Sequence, residues 1–109
     1  MSFLDFFKTV DINQEVNRCR TTKGAVLVDV RTEDEYRSGH IGGSRNIPLA
    51  KIDNAVNLLH DKNAPIFVYC QSGSRSKTAV SKLKKLGYTN VTNIGGIESF
   101  QGQIQRGKR

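Results

Sequence analysis

The 109 residues contain no tryptophan, one methionine, two prolines, two histidines and two cysteines. Cys19 and Cys70 form no Cys-x-x-Cys pair, and neither joins a histidine at the spacing of a zinc site. That excludes a zinc finger and a disulfide framework, and no metal site or cofactor is predicted. No stretch approaches the roughly 18 apolar residues of a membrane-crossing helix, so no membrane partner is predicted. The opening MSFLDFFKTVD is apolar in patches, but Asp5 interrupts it and no basic region precedes it, so it does not read as a secretion signal. Two unpaired thiols then point to a reducing cytoplasm. Acidic residues are fewer than basic ones, 10 against 17, for a net charge of +7. This favours anionic partners. No aromatics are interleaved with the basic residues, and no recognition motif is present, so nucleic acid is not predicted. Lys82, Lys84 and Lys85 read as a solvated helix face, and Arg106, Lys108 and Arg109 as a frayed basic tail.

What is present is ordinary globular composition, 37% hydrophobic and 25% charged, enough for one core. One domain is expected, with its core over about 10–100 and a basic tail over 101–109. Internal repeats, linkers and low-complexity tracts are absent. Lys8-Thr9-Val10 reads as a short edge strand. Asp11 is placed to cap a helix from Ile12 to about Arg20, with Ile12, Val16 and Cys19 on one face. AVLVDV, Ala25 to Val30, is a continuous apolar run of the kind buried on both faces. Thr32 and Glu35 make a capping-box pattern for a short helix that Gly39 closes. Asn46-Ile47-Pro48 predicts a short strand, and Asp53 or a neighbour starts a helix through Ala55, Val56, Leu58 and Leu59. Ile66 to Tyr69 predicts a second buried strand. Ala79, Val80, Leu83 and Leu86 fall at helical spacing, with Gly87 as C-cap. Val91 to Ile94 reads as the last strand, and Gly95-Gly96 leads into a final helical turn with Phe100. Strand and helix alternate about five times. The pattern predicts an α/β fold with a central, mainly parallel five-stranded sheet and helices on both faces.

Ligands of such sheets bind outside the carboxyl ends of the strands. VYCQSGSRS, Val68 to Ser76, puts Cys70 there, directly before a helix. A loop of small residues with Gly73 can turn several backbone N–H groups onto one point, and the helix adds its unpaired N–H groups and dipole. A thiol at that point should ionise below the ordinary cysteine value of about 8.5. Gln71, Ser72, Gly73, Ser74, Arg75 and Ser76 are therefore the candidate anion-binding loop, with Cys70 as nucleophile. Arg75 adds a planar donor fork. Cys19, on an apolar helix face, reads as a core residue, with a resolving thiol as the alternative. His40, flanked by glycine, reads as a structural residue, and His60 is distant in sequence.

Three separated segments resemble the single-domain rhodaneses, the thiosulfate sulfurtransferases. They are LVDVRTEDEYRSGHIGGSRNIPL (Leu27 to Leu49), VYCQSGSRS, and NIGGIESF (Asn93 to Phe100). The resemblance covers about Val10 to Phe100. It departs at Phe100, where the family commonly has tryptophan; phenylalanine should still pack there. The resemblance implies a rhodanese-like fold and a persulfide mechanism. Cys70 would take the outer sulfur of thiosulfate or a related donor. It would then pass that sulfur to a thiophilic acceptor: cyanide in the test tube, a thiol or sulfur-acceptor protein in the cell. Arg75 would attract the anionic donor. Asp29 and Arg31, matching the family's Asp-Val-Arg, would buttress the loop, and Glu35 could pair with Arg31.

Two other classes fit less well. Cysteine-dependent phosphatases and arsenate reductases use a similar nest, but with Cys-x5-Arg spacing. Here the spacing is Cys-x4-Arg, and no general acid stands out. A binding, sulfur-carrier or redox-sensing module that lacks thiosulfate turnover would keep the same fold.

Overall fold

The AVLVDV and IFVYC runs form the two central strands, and their alternation decides everything around them. In β1 (Val26–Asp29) and β4 (Ile66–Cys70), even-numbered residues face one layer and odd-numbered residues the other. Val28, Ile66, Val68 and Cys70 pack with Ala79, Leu83, Ile52 and Ala55. Leu27, Phe67 and Tyr69 pack with Ile12, Val16, Cys19 and Ile94. A strand buried on both faces suits the interior of a parallel sheet covered by helices. The structure, a computed structural model, describes residues 10–108.

The sheet has four strands among the described residues, all parallel, in the order β3 (Arg45–Asn46), β1, β4, β5 (Val91–Gly96). Five strands are expected from the sequence. Lys8 and Thr9 of the expected edge strand lie outside the described residues, and Val10 is not in a strand. Helix α1 (Ile12–Thr21) covers one face with Ile12, Val16 and Cys19, and Asp11 caps it through the Asn13 N–H at 2.9 Å. The other face is covered by α4 (Ser74–Lys85), by a 3-10 stretch at Leu49–Asn54, and by α3 (Ala55–Leu58). The helix expected from about Asp53 is thus preceded by a 3-10 stretch from Leu49, which is broken at Lys51. Its buried side is Ile52, Ala55 and Leu59, while Val56 and Leu58 are exposed.

Helix α2 (Glu33–Ser38) begins with the predicted capping box and ends at Gly39. It leads into β2 (His40–Ile41), which pairs antiparallel with β6 (Ile104–Gln105). The segment after Phe100, expected to fray, is therefore tied back, and the Gly107 N–H donates to the Arg37 carbonyl at 2.8 Å. The reason is local. β2 offers free ladder groups, and Ile104 supplies an apolar side chain against Gly39. The three lysines in the last turn of α4 are exposed, where the helix dipole favours cations. Arg109 lies outside the described residues. No described helix is long and apolar enough to cross a membrane.

Candidate active site

Cys70 is the last residue of β4, and α4 starts at Ser74. The chain must reverse in three residues. Gly73 does this with φ +103°, a left-handed conformation open to glycine and strained for other residues. No side chain caps α4, so its first N–H groups remain available. The Gly73 N–H donates to Cys70 Sγ at 3.0 Å, and the Ser76 hydroxyl lies 3.4 Å from the same sulfur. Cys70 itself is 1% exposed. The sulfur therefore sits under the loop.

Burial pushes the Cys70 thiol up. The Ser76 hydroxyl and the N–H groups of Ser76, Gly73 and Ser72 pull further the other way, so the thiol ionises below the ordinary cysteine value. Cys19 behaves oppositely: burial raises it, with Arg20 and Arg18 acting weakly against that. The two thiols belong to clusters on opposite faces of the sheet. Cys19 is not placed to resolve Cys70.

Ser76 is fully buried and has three acceptors in reach of one proton. They are Asn93 Oδ1 at 2.7 Å, the Gly73 carbonyl at 3.0 Å, and Cys70 Sγ. Asn93 was not singled out in the sequence, although it opens NIGGIESF. Its amide is oriented by both neighbours: Oδ1 accepts the Gly95 N–H at 3.0 Å, and Nδ2 donates to the Gly73 carbonyl at 3.2 Å. It reaches the loop because β5 carries a bulge. Val68 pairs with Asn93, but Tyr69 pairs with Gly95 and Cys70 with Gly96. Replacing Ser76 by alanine removes the largest group lowering the thiol. The pH midpoint for alkylation of Cys70 by iodoacetamide should then move up towards that of free cysteine. An unmoved midpoint would take Ser76 out of thiolate stabilisation.

The two loop-side arginines do not stand free. Arg75 donates from Nη1 and Nη2 to the two oxygens of Glu35 at 2.7 and 2.9 Å. Arg31 is paired with Asp29, at 2.8 Å from Nη2, and both are buried. Glu35 therefore pairs with Arg75 and not with Arg31. Arg31 also donates to the Gly39 carbonyl at 2.6 Å and reaches Gln71 Oε1 at 3.5 Å, bracing the first loop residue from behind. Gln71, Ser72 and Ser74 are exposed, Gly73 and Arg75 half-buried. Beside Gln71 lies a groove of about 510 Å³, with Ile97, Phe100 and Ile104 on its apolar side. Phe100 packs on the α1-side core as expected. His40 is buried, stacked on Tyr36 at 3.7 Å, and bonded through Nδ1 to the Tyr36 carbonyl. Among the described residues no group of three His, Cys, Asp or Glu side chains is placed to hold a metal.

A parallel α/β sheet with a thiol in a nest of N–H groups at its carboxyl edge defines a class of proteins built around a cysteine loop. Within that class, the chain belongs to the rhodanese-like domain family, whose profile matches residues 13–103. It is 38% identical over 74 residues to the thiosulfate sulfurtransferase PspE of Escherichia coli (strain K12), covering 67% of this chain and 71% of PspE. It is 32% identical over 80 residues to the thiosulfate sulfurtransferase GlpE of Pseudomonas fluorescens (strain SBW25), covering 72% of each. A solved structure of a rhodanese with anions from E. coli matches with a TM-score of 0.71 and 33% identity, over 76% of this chain and 99% of that one.

Proposed function

We propose that the protein moves a sulfane sulfur from thiosulfate or a related donor to a thiophilic acceptor through a persulfide on Cys70. The observation that carries this is the thiol at the focus of the Gln71–Ser76 loop, ionising below its ordinary value. In the first half-reaction, the Cys70 thiolate attacks the outer sulfur of thiosulfate. The Sγ–S bond forms, the S–S bond of the donor breaks, and sulfite leaves with its electron pair. The charge on sulfur then lies one atom further out. The Ser72, Gly73 and Ser76 N–H groups and the Ser76 hydroxyl stabilise it there. In the second half-reaction the acceptor attacks that outer sulfur, and the Cys70 thiolate is the leaving group. Cyanide serves in the test tube; a thiol or an acceptor protein serves in the cell. Ping-pong kinetics follow.

The names of PspE and GlpE support this donor class. Two free cysteines suit a reducing compartment such as the cytoplasm. Phosphoryl transfer fits less well, because Arg75 already donates both terminal nitrogens to Glu35. The test is the intact mass before and after thiosulfate, followed by cyanide. A gain of about 32 Da, lost again with release of thiocyanate, is the expected result. No gain with thiosulfate, polysulfide or an alkyl persulfide would overturn the proposal.

A further inference from the structure

We propose that Glu35 sets the donor preference of the site: it masks the Arg75 guanidinium and so removes the advantage a doubly charged donor would otherwise have. The consequence for sulfur donors rests on the sulfur-transfer reading; the masking itself does not. Arg75 is on the first turn of α4, and the Cys70 thiolate is among the groups that favour its charged form, after Glu35 itself. An unpaired guanidinium there would draw thiosulfate in. Both of its terminal nitrogens are instead forked onto Glu35.

The carboxylate is not free to swing away. Its Oε1 also accepts the Thr32 N–H at 3.0 Å and the Thr32 hydroxyl at 3.1 Å, the capping box of α2. Arg75 holds Glu35 well below the ordinary carboxylate range, at about 2, with the Thr32 groups adding to this. The mask therefore persists at any pH where a thiolate exists. Among the described residues, the other cations lining the two grooves beside the loop are Arg31 and Lys82. Arg31 is neutralised by Asp29. The groove beside Gln71 adds the carboxylates of Asp34 and Glu98, and the groove beside Arg75 adds Asp53 and Lys82. Those two grooves together present three cations and four carboxylates, so the chain's excess of +7 is not concentrated at the loop. A donor with less charge beside its sulfane sulfur, such as an alkyl persulfide, loses nothing there. Thiosulfate gains nothing from its sulfonate.

Three methanethiosulfonates with the same reacting group test this, bearing an ethylsulfonate, an uncharged methyl or an ethyltrimethylammonium group. The thiolate attacks the sulfenyl sulfur, a disulfide forms, and methanesulfinate leaves. Rates are normalised to those of a small free thiol, with Cys70→Ser as the blank for Cys19. The wild-type protein should show three normalised rates within about twofold of one another, because the grooves beside the loop carry no excess of positive charge. Glu35→Gln should speed the anionic reagent about fivefold and slow the cationic one, with the uncharged one unchanged, and high salt should erase the difference. Sulfur loading from thiosulfate should rise with the anionic rate. Glutamine still accepts from Thr32, so the cap of α2 survives. An unchanged anionic rate, or all three rates moving together, would overturn the masking. If Glu35→Gln does not fold, the wild-type protein decides: an anionic rate that falls steeply with salt overturns it, and a flat one supports it. Normal reagent rates without any sulfur loading would sink the sulfur-transfer reading alone.

Discussion

Cys70→Ser is expected to abolish sulfur uptake entirely while leaving the protein folded. The gain of about 32 Da on thiosulfate should vanish, and thiocyanate release should fall to the level of buffer. The chemistry requires a thiolate, and a serine hydroxyl neither ionises in this pH range nor holds a sulfane sulfur. The substitution is mild for the fold. The side chain is 1% exposed, nearly the same shape, and its oxygen can still accept the Gly73 N–H. A melting temperature within a few degrees of wild type should accompany the loss. Cys19 cannot rescue the variant, because the sheet lies between the two side chains. For the same reason Cys19→Ser should load and discharge sulfur normally. Loaded wild-type protein should also keep its sulfur until an external acceptor arrives, since no second thiol is in reach. Uptake by Cys70→Ser, measured as intact mass, would overturn the assignment of the nucleophile.

The parts legible in the sequence are those whose cause is local. AVLVDV and IFVYC are apolar on both faces and short, and they became the buried strands. Asp11, Thr32, Gly39 and Gly73 carry their own geometric instructions, so helix ends were readable to within a residue or two. The place of Cys70, at a strand end just before a helix, was readable because small residues, glycine and a helix start follow it directly. The illegible parts depend on pairs distant in the chain. Glu35 and Arg75 are 40 residues apart, and sequence proximity favours the nearer Arg31 as the partner of Glu35. Asn93 reaches the loop only through a one-residue bulge, which no alternation pattern announces. Ile104 is a single apolar residue among polar ones, and the open edge of β2, distant in the chain, is what pairs with it. The 3-10 stretch at Leu49–Asn54 buries Ile52, a position outside the helical pattern read from Ala55 to Leu59.

Gly96→Ala should slow sulfur loading about a hundredfold, although Gly96 carries no chemistry. The bulge in β5 puts Gly96, and not Gly95, beside Cys70 in the sheet. A Cβ built there would lie 2.2 Å from the Gln71 carbonyl oxygen and 2.6 Å from Ser72 Cα. Both are backbone atoms of the cysteine loop, so no side-chain rotation relieves the overlap. Either β5 or the loop must move. The strand is held across β4 by the parallel ladder and through Ile94 by the α1-side core, whereas Gln71 and Ser72 are exposed. The loop is the weaker of the two. Its displacement also strains the bond from the Glu98 N–H to the Gln71 carbonyl, 3.3 Å in the intact protein. A shift of about 1 Å at reacting atoms can lower a rate about a hundredfold, and overpacking of this kind typically costs about 1–3 kcal/mol. The variant should therefore fold with a lowered melting temperature, load sulfur about a hundredfold more slowly, and lose the depressed ionisation of Cys70. The last effect separates it from simple destabilisation: the alkylation midpoint should rise, because the N–H groups that hold the thiolate are carried by the displaced loop. A Gly96→Ala protein with unaltered loading and an unaltered midpoint would mean that the loop adapts to the methyl group. Close packing of β5 against the loop would then not be what shapes the nest.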